Sequence, residues 1–125
     1  MFEVTVYYED TDMGGVVYHA NYLKFIERAR SDWVAALGVD QLALREAGTV
    51  FVVRRIAADF LAPARLGDVL RVSTEVETAG GVRLTLVQTV LRGDEALFRA
   101  TVEVVAMDPQ TGAPKRLPEV IRAQR

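Results

Sequence analysis

The chain has 125 residues, half of them hydrophobic and 26% charged, with a net charge of −2 and no cysteine. That is the size and composition of one globular domain, residues 1–125, with room for a single core. The balanced charge offers no basic field for nucleic acid, and the lack of cysteine excludes disulfide bridges and thiolate metal sites.

Phe2, Val4, Val6 and Tyr8 alternate with Glu3, Thr5 and Tyr7, the period-two pattern of a half-buried strand. The first residues lack the basic start and long apolar run of a signal peptide, and the longest apolar run, 33–37, is too short to cross a bilayer. A cytoplasmic protein with no membrane insertion is expected. Residues 7–22, "YYEDTDMGGVVYHANY", then gather Glu9, Asp10, Asp12, Asn21, a glycine pair and the one histidine of the chain. From Asn21 the period turns helical. Tyr22, Phe25, Ile26, Ala29, Trp33, Ala36 and Leu37 form one broad stripe, and Gly38 follows where a helix commonly stops. A shorter helix, "VDQLALREAG", ends at Gly48.

Strands follow. Residues 49–64 make one, closed by Pro63. In 68–78, Leu70, Val72, Thr74 and Val76 face one way, and Arg71, Ser73, Glu75 and Glu77 the other. Gly80-Gly81 turns into the strand 82–92, and Gly93-Asp94 into 95–107. That last strand sets Ala96, Phe98, Ala100, Val102, Val104 and Ala106 on one face. "DPQTGAP" is a final turn, and a short basic tail follows. The order predicts an α+β domain, an antiparallel sheet curved around one long helix. Val87, Leu91, Leu97 and Val105 on the outer face, with long strand edges, point to a homo-oligomer.

Asp10 and Asp12 thus sit on a loop that runs into a helix N-terminus. There the first N–H groups lack partners and the dipole favours negative charge. A carboxylate in that place suits acyl transfer: it attacks a carbonyl or activates water, while a backbone N–H holds the oxygen that becomes negative. The plainer reading makes both residues turn or cap acids, and Asp10 is read that way, as the residue that orients the loop. "EDTD" as a cation site lacks a full ligand set, so no metal is expected. The His19 side chain either orients substrate or packs. Glu27 lies off the apolar stripe near Lys24, Arg28 and Arg30, as a surface ion pair would.

"YYEDTDMGGVVYHANYLKFIERAR" resembles the signature of the hotdog-fold acyl-CoA thioesterases of the 4-hydroxybenzoyl-CoA thioesterase type, in particular the YbgC-like branch. "FLAPARLGDVLRVSTEV" resembles the segment joining that family's second and third strands. The resemblance implies a hotdog fold, a five-stranded antiparallel sheet wrapped around one long central helix. It implies a homodimer or homotetramer with active sites between subunits. Asp12 would be the catalytic carboxylate, and His19 would supply the catalytic backbone N–H that polarises the thioester. Tyr18, Asn21 and Tyr22 would shape the acyl pocket. Another hotdog branch uses a Glu on the central helix, which Glu27 and Ser31 could imitate, but the loop-Asp pattern matches better.

The implied reaction is hydrolysis of an acyl thioester to a free acid and coenzyme A. Asp12 would act as nucleophile, through a mixed anhydride, or as general base. No cofactor is called for, since coenzyme A is part of the substrate; an acyl carrier protein is the other thiol carrier. Candidates for the nucleotide are Arg54-Arg55, Arg65, Arg83 and Lys115-Arg116. Some relatives carry basic residues in the turn that is Gly80-Gly81 here, which leaves Arg83 without them. Two alternatives stay open: another hotdog activity such as enoyl-thioester hydration, and a non-catalytic protein that binds an acyl carrier or an envelope-complex partner.

Overall fold

Alternating side chains build five strands in the structure, a computed structural model that describes residues 1–124. They are β1 (Phe2–Thr5), β2 (Val50–Phe60), β3 (Val69–Ala79), β4 (Arg83–Arg92) and β5 (Glu95–Met107). All pair antiparallel in one sheet of order β1-β3-β4-β5-β2. β2 therefore crosses to the far side and pairs with β5, which makes β1 and β2 the two edges.

Helix α1 (Asn21–Ala36) lies on one face of this sheet, with its contacts on β1, β3 and β4. The 3.6-residue stripe puts Tyr22, Phe25, Ile26 and Ala29 into the core, against Leu70, Val72, Leu86, Val90 and Phe98. Burying a side chain of that size contributes about 1.5–3 kcal/mol. Toward the helix end the stripe drifts: Val34 is buried, whereas Trp33 is half-buried and Ala36 exposed. Gly38, at φ +85°, takes the left-handed turn that stops the helix. Asp40 then caps α2 (Gln41–Glu46) through the N–H groups of Leu42 and Ala43.

Four expectations need correction. The first strand ends at Thr5, and Tyr8 is 83% exposed in a 3-10 turn over Tyr8–Asp10. That turn begins where the Asp10 carboxylate accepts the Tyr7 N–H. β2 stops at Phe60 rather than running to 64, because the N–H groups of Leu61 and Ala62 both turn onto the Leu97 carbonyl. Leu97 itself is fully buried rather than outward. The ladder slips between Val90 and Leu91, and that irregularity lets both Leu97 and Phe98 bury. Finally, the basic end is no surface tail. Leu117 donates its N–H to Gly81, Leu117 and Ile121 enter the core, and Glu119–Arg122 form α3. Arg125 of that tail lies outside the described residues.

The core carries one polar side chain that the apolar pattern hides. Gln88 of β4 is fully buried beneath α1. Its amide donates to the Ile26 carbonyl at 2.9 Å and to Thr74 Oγ1 at 3.0 Å, and its oxygen accepts from Arg30 Nη1 at 3.1 Å. Every polar atom of the amide group is satisfied, as burial requires.

Candidate active site

Between β1 and α1 the chain folds into a small hairpin, bridged at Thr11 and Val17. Asp12 donates its N–H to Val16, and Gly15 donates back to the Asp12 carbonyl. Gly15 has φ +75°, which a side chain would strain, so the tip needs its glycine. A Cβ on Gly14 would stand 3.1 Å from Asp12 Oδ1, so that glycine keeps room for the carboxylate. The Gly14 N–H in turn donates to Oδ1 at 2.8 Å. Oδ2 accepts from no group among the described residues, and Asp12 is exposed. One carboxylate oxygen is fixed by the Gly14 N–H and the other is open to solvent.

Asp10 is differently placed. Its carboxylate is held by the Tyr7 N–H, and its carbonyl accepts from the Tyr18 N–H and from Asn21 Nδ2, both at 2.9 Å. It ties the start of α1 back to the loop, the orienting part the sequence gives it. Asn21, a predicted substrate contact, spends its side-chain amide on that tie.

No side chain caps α1; Ala20 stands at its N-cap. The Tyr18 carbonyl accepts from the Asn21 N–H, and among the described residues nothing accepts from the His19 N–H. A backbone donor beside an uncapped helix end is thus left open, where the dipole supports negative charge. The His19 ring packs on Tyr18 at 4.5 Å and toward the edge of Phe60 at 6.3 Å. It makes no hydrogen bond to Asp12.

Behind His19 opens an apolar cavity of about 290 Å³, lined by Val17, His19, Tyr22 and the stretch Phe60–Pro63. Tyr22 is buried, stacks on Phe98 at 4.9 Å, and accepts the Ala64 N–H at its hydroxyl. Phe60, 56% exposed, meets Tyr22 and Phe98 edge-on and lines the cavity. Phe60 and the loop 61–64 were not read as site residues, although the segment that starts at Phe60 carries part of the family resemblance. Asp12 does not line this cavity, and stands at the tip of its hairpin instead.

The predicted basic contacts scatter. Arg65 is bridged to Val16 and so stands beside the Asp12 turn. Arg83 pairs with Glu103 at 3.0 Å, and Arg116 reaches over Gly81 two residues away. Arg54 lies on the irregular stretch of β2, six residues from Phe60, about 20 Å at 3.3 Å per residue. Within one chain it does not reach the cavity. Among the described residues no three His, Cys, Asp or Glu side chains converge as a metal would need. No helix of the described residues is long and apolar enough to cross a membrane.

The family model of the thioesterase-like superfamily matches residues 6–124 of the chain. The chain is 43% identical over 122 residues to the acyl-CoA thioester hydrolase YbgC of Escherichia coli O6:H1, spanning 97% of this chain and 91% of that protein. It is 42% identical over 123 residues to the acyl-CoA thioesterase YbgC of Haemophilus influenzae, spanning 98% and 90%. The crystal structure of a probable thioesterase from Bartonella henselae superposes with a TM-score of 0.82 at 37% identity, over 94% of this chain and 96% of the other. The five-stranded sheet with one helix of 16 residues on its face is the hotdog arrangement of these neighbours.

Proposed function

The chain belongs to the thioesterase-like superfamily, and from that premise we propose that it hydrolyses acyl-CoA thioesters, with Asp12 and the His19 N–H as its catalytic groups. The observation that carries this reading is a pair of unspent groups where the hairpin runs into α1: Asp12 Oδ2 and the His19 N–H.

The thioester carbonyl oxygen takes the His19 N–H, which stabilises the negative charge that develops there. Asp12 then acts in one of two ways. As nucleophile, its free oxygen attacks the carbonyl carbon; the C–S bond breaks, the thiolate leaves, and water cleaves the mixed anhydride. As general base, it takes a proton from the water that attacks the same carbon. Both routes end in a carboxylic acid and free coenzyme A. The apolar slot between Tyr22, Phe60 and His19 suits an acyl group, and Tyr18 walls the histidine. Arg65 beside the hairpin is the basic side chain best placed for the nucleotide phosphates; Arg83 is already paired.

Asp12 is not among the residues that line the cavity His19 borders, and a partner in a homodimer or homotetramer would complete the walls of the working site. An acyl carrier protein would present the same thioester, and a cytoplasmic setting would supply both carriers. Hydration of an enoyl thioester wants an acid and an imidazole acting together, and here the His19 ring packs on aromatics instead.

Release of free thiol from a panel of acyl-CoAs tests the proposal. Turnover with at least one acyl class is expected. Binding of acyl-CoA with no thiol released from any member would overturn it in favour of a carrier-binding role.

A further inference from the structure

β1 covers little of the strand beside it. It pairs with residues 69–72 of β3, whereas β3 runs on to Ala79. Along residues 73–79 the outer edge of β3 faces no strand among the described residues, and alternate backbone N–H and C=O groups there stand open. The ladder from β3 to β4 is regular from Arg71 to Val76 and slips before Thr78. The straight part of the open edge is therefore 73–76, room for about four residues of an added strand.

Beside this edge a cleft of about 380 Å³ opens between α1 and β3. Its apolar wall includes Phe2, Ala29, Trp33 and Val72, and it shares no lining residue with the cavity beside His19. Asp32 on the helix and Glu75 on the strand are its charged lining, with no lysine or arginine. Neither belongs to an ion pair among the described residues, and Glu77, also exposed, follows two residues on.

An open strand edge beside an apolar cleft is the geometry of strand addition, in which main-chain hydrogen bonds give affinity and alternate side chains give specificity. Residues paired across an antiparallel ladder point to the same face. A residue laid opposite Thr74 thus enters the cleft beside Trp33, and one laid opposite Glu75 meets that carboxylate on the other face. A second copy of the chain does not fit. Antiparallel pairing about Glu75 or Val76 would set Glu75 against another Glu75 or a Glu77, and like charges directly opposite destabilise. Edge charges keep strands away unless the incoming strand carries the opposite sign.

We propose that residues 73–76 and this cleft are a docking site for an extended basic peptide segment, in which Lys or Arg alternates with an apolar residue. The apolar side chain fills the cleft against Trp33 and Phe2, and the basic ones meet Glu75 and Glu77, with Asp32 on the helix side. The site lies at the opposite edge of the sheet from β2, so pairing of copies through β2 leaves it open.

Trp33 is the one tryptophan of the chain, so its fluorescence reports on the cleft. The test titrates acetyl-Lys-Val-Lys-Leu-Lys-Val-amide into the wild-type protein. A saturable change in Trp33 emission, at one site per chain, is expected. The same peptide with Glu for Lys should bind at least ~10-fold more weakly. Two N-methylated forms of the Lys peptide probe the edge. Methyls on one alternate set of nitrogens remove the hydrogen bonds to β3 and should cost at least ~10-fold; methyls on the other set face away and should cost little. Glu75→Gln, an exposed change that leaves the core alone, should weaken the Lys peptide ~2–5-fold and leave the Glu peptide no weaker.

Equal affinity of the Lys and Glu peptides would overturn the proposal, and so would equal affinity of the two N-methylated forms. A Trp33 signal that moves with protein concentration alone and excludes the peptide would overturn it in favour of a second copy on this edge. Binding is read without turnover, so the outcome is independent of whether thiol is released from any acyl-CoA.

Discussion

Nη1 of Arg92 lies 2.8 Å from Oδ2 of Asp68 and joins the end of β4 to the loop that walls the candidate site. The same guanidinium reaches the Pro63 carbonyl at 3.4 Å and Glu95 at 2.7 Å. Asp68 also accepts the Arg65 N–H. Loop 61–68 is thereby fixed on the side that presents Ala64 to Tyr22 and Val17. Burial works to raise the Asp68 carboxyl, but the Arg65 N–H and the Arg92 hydrogen bond and charge outweigh it and hold the group below its ordinary value of 3.8.

The sign of the pH effect follows. A carboxyl depressed in the folded state adds stability above its unfolded value, and loses it as pH falls through the lowered one. Asp68→Asn should therefore lower Tm at neutral pH, with the gap to wild type closing as pH drops below 3.8. Thermal unfolding across that range is the measurement. A constant gap at all pH values would mean that the carboxylate charge is not the source.

Asp12→Asn keeps the oxygen that accepts from Gly14, so the hairpin should survive it. What it removes is the free oxygen as nucleophile or base. Turnover should fall at least ~100-fold, within the range of acid–base groups, with Tm and circular dichroism unchanged. Wild-type rates in this variant would remove Asp12 from the chemistry and turn attention to Glu27.

His19→Ala separates backbone from ring. The N–H survives the change and the ring's contacts with Tyr18 and Phe60 do not. Substantial kcat should remain, with the larger effect in KM if the ring lines the acyl slot. A loss of kcat as deep as that of Asp12→Asn would show that the imidazole takes part.

Much of this was legible because it rests on period and turn chemistry. The stripe from Tyr22 to Ala29 and the glycine turns are local signals and appear where they were expected, as does the strand alternation outside Tyr8 and Leu97. The "DTD" loop entering a helix was equally local. What escaped depends on partners distant in sequence. Phe60 joins the site because β2 crosses to pair with β5 and sets it beside Tyr22 and Phe98. Leu97 turns inward through a slip in the ladder that no alternation reveals. Leu117 and Ile121 bury because the chain end returns to Gly81. Gln88 read as one polar residue in a strand, and its meaning lies in Ile26, 62 positions away.

Gln88→Leu makes the point measurable. The substitution is apolar and close in volume, in a core that is otherwise apolar. Yet it leaves Thr74 Oγ1 and Arg30 without their amide partner. Urea unfolding should show a loss of about 1–3 kcal/mol, the cost of unpaired polar groups. A stabilised variant would show that the network is a burden on the fold rather than a support for the core.

The final prediction is quaternary. β2 is a long edge strand of 11 residues with unpaired backbone on its outer side. Such an edge is a template for another chain. Val53 and Phe60 along it are 44% and 56% exposed, and Tyr8 and Met13 by the hairpin are more exposed still. A symmetric partner on this edge would cover that apolar surface. It would also bring a second wall toward Asp12, whose free oxygen faces solvent in a lone chain. Activity should then track assembly. Light scattering on dilution, read beside thiol release, should show a homodimer at minimum, with rate falling as the species separate. A fully active 13.8 kDa monomer would place the whole site within one chain and sink the shared-site argument.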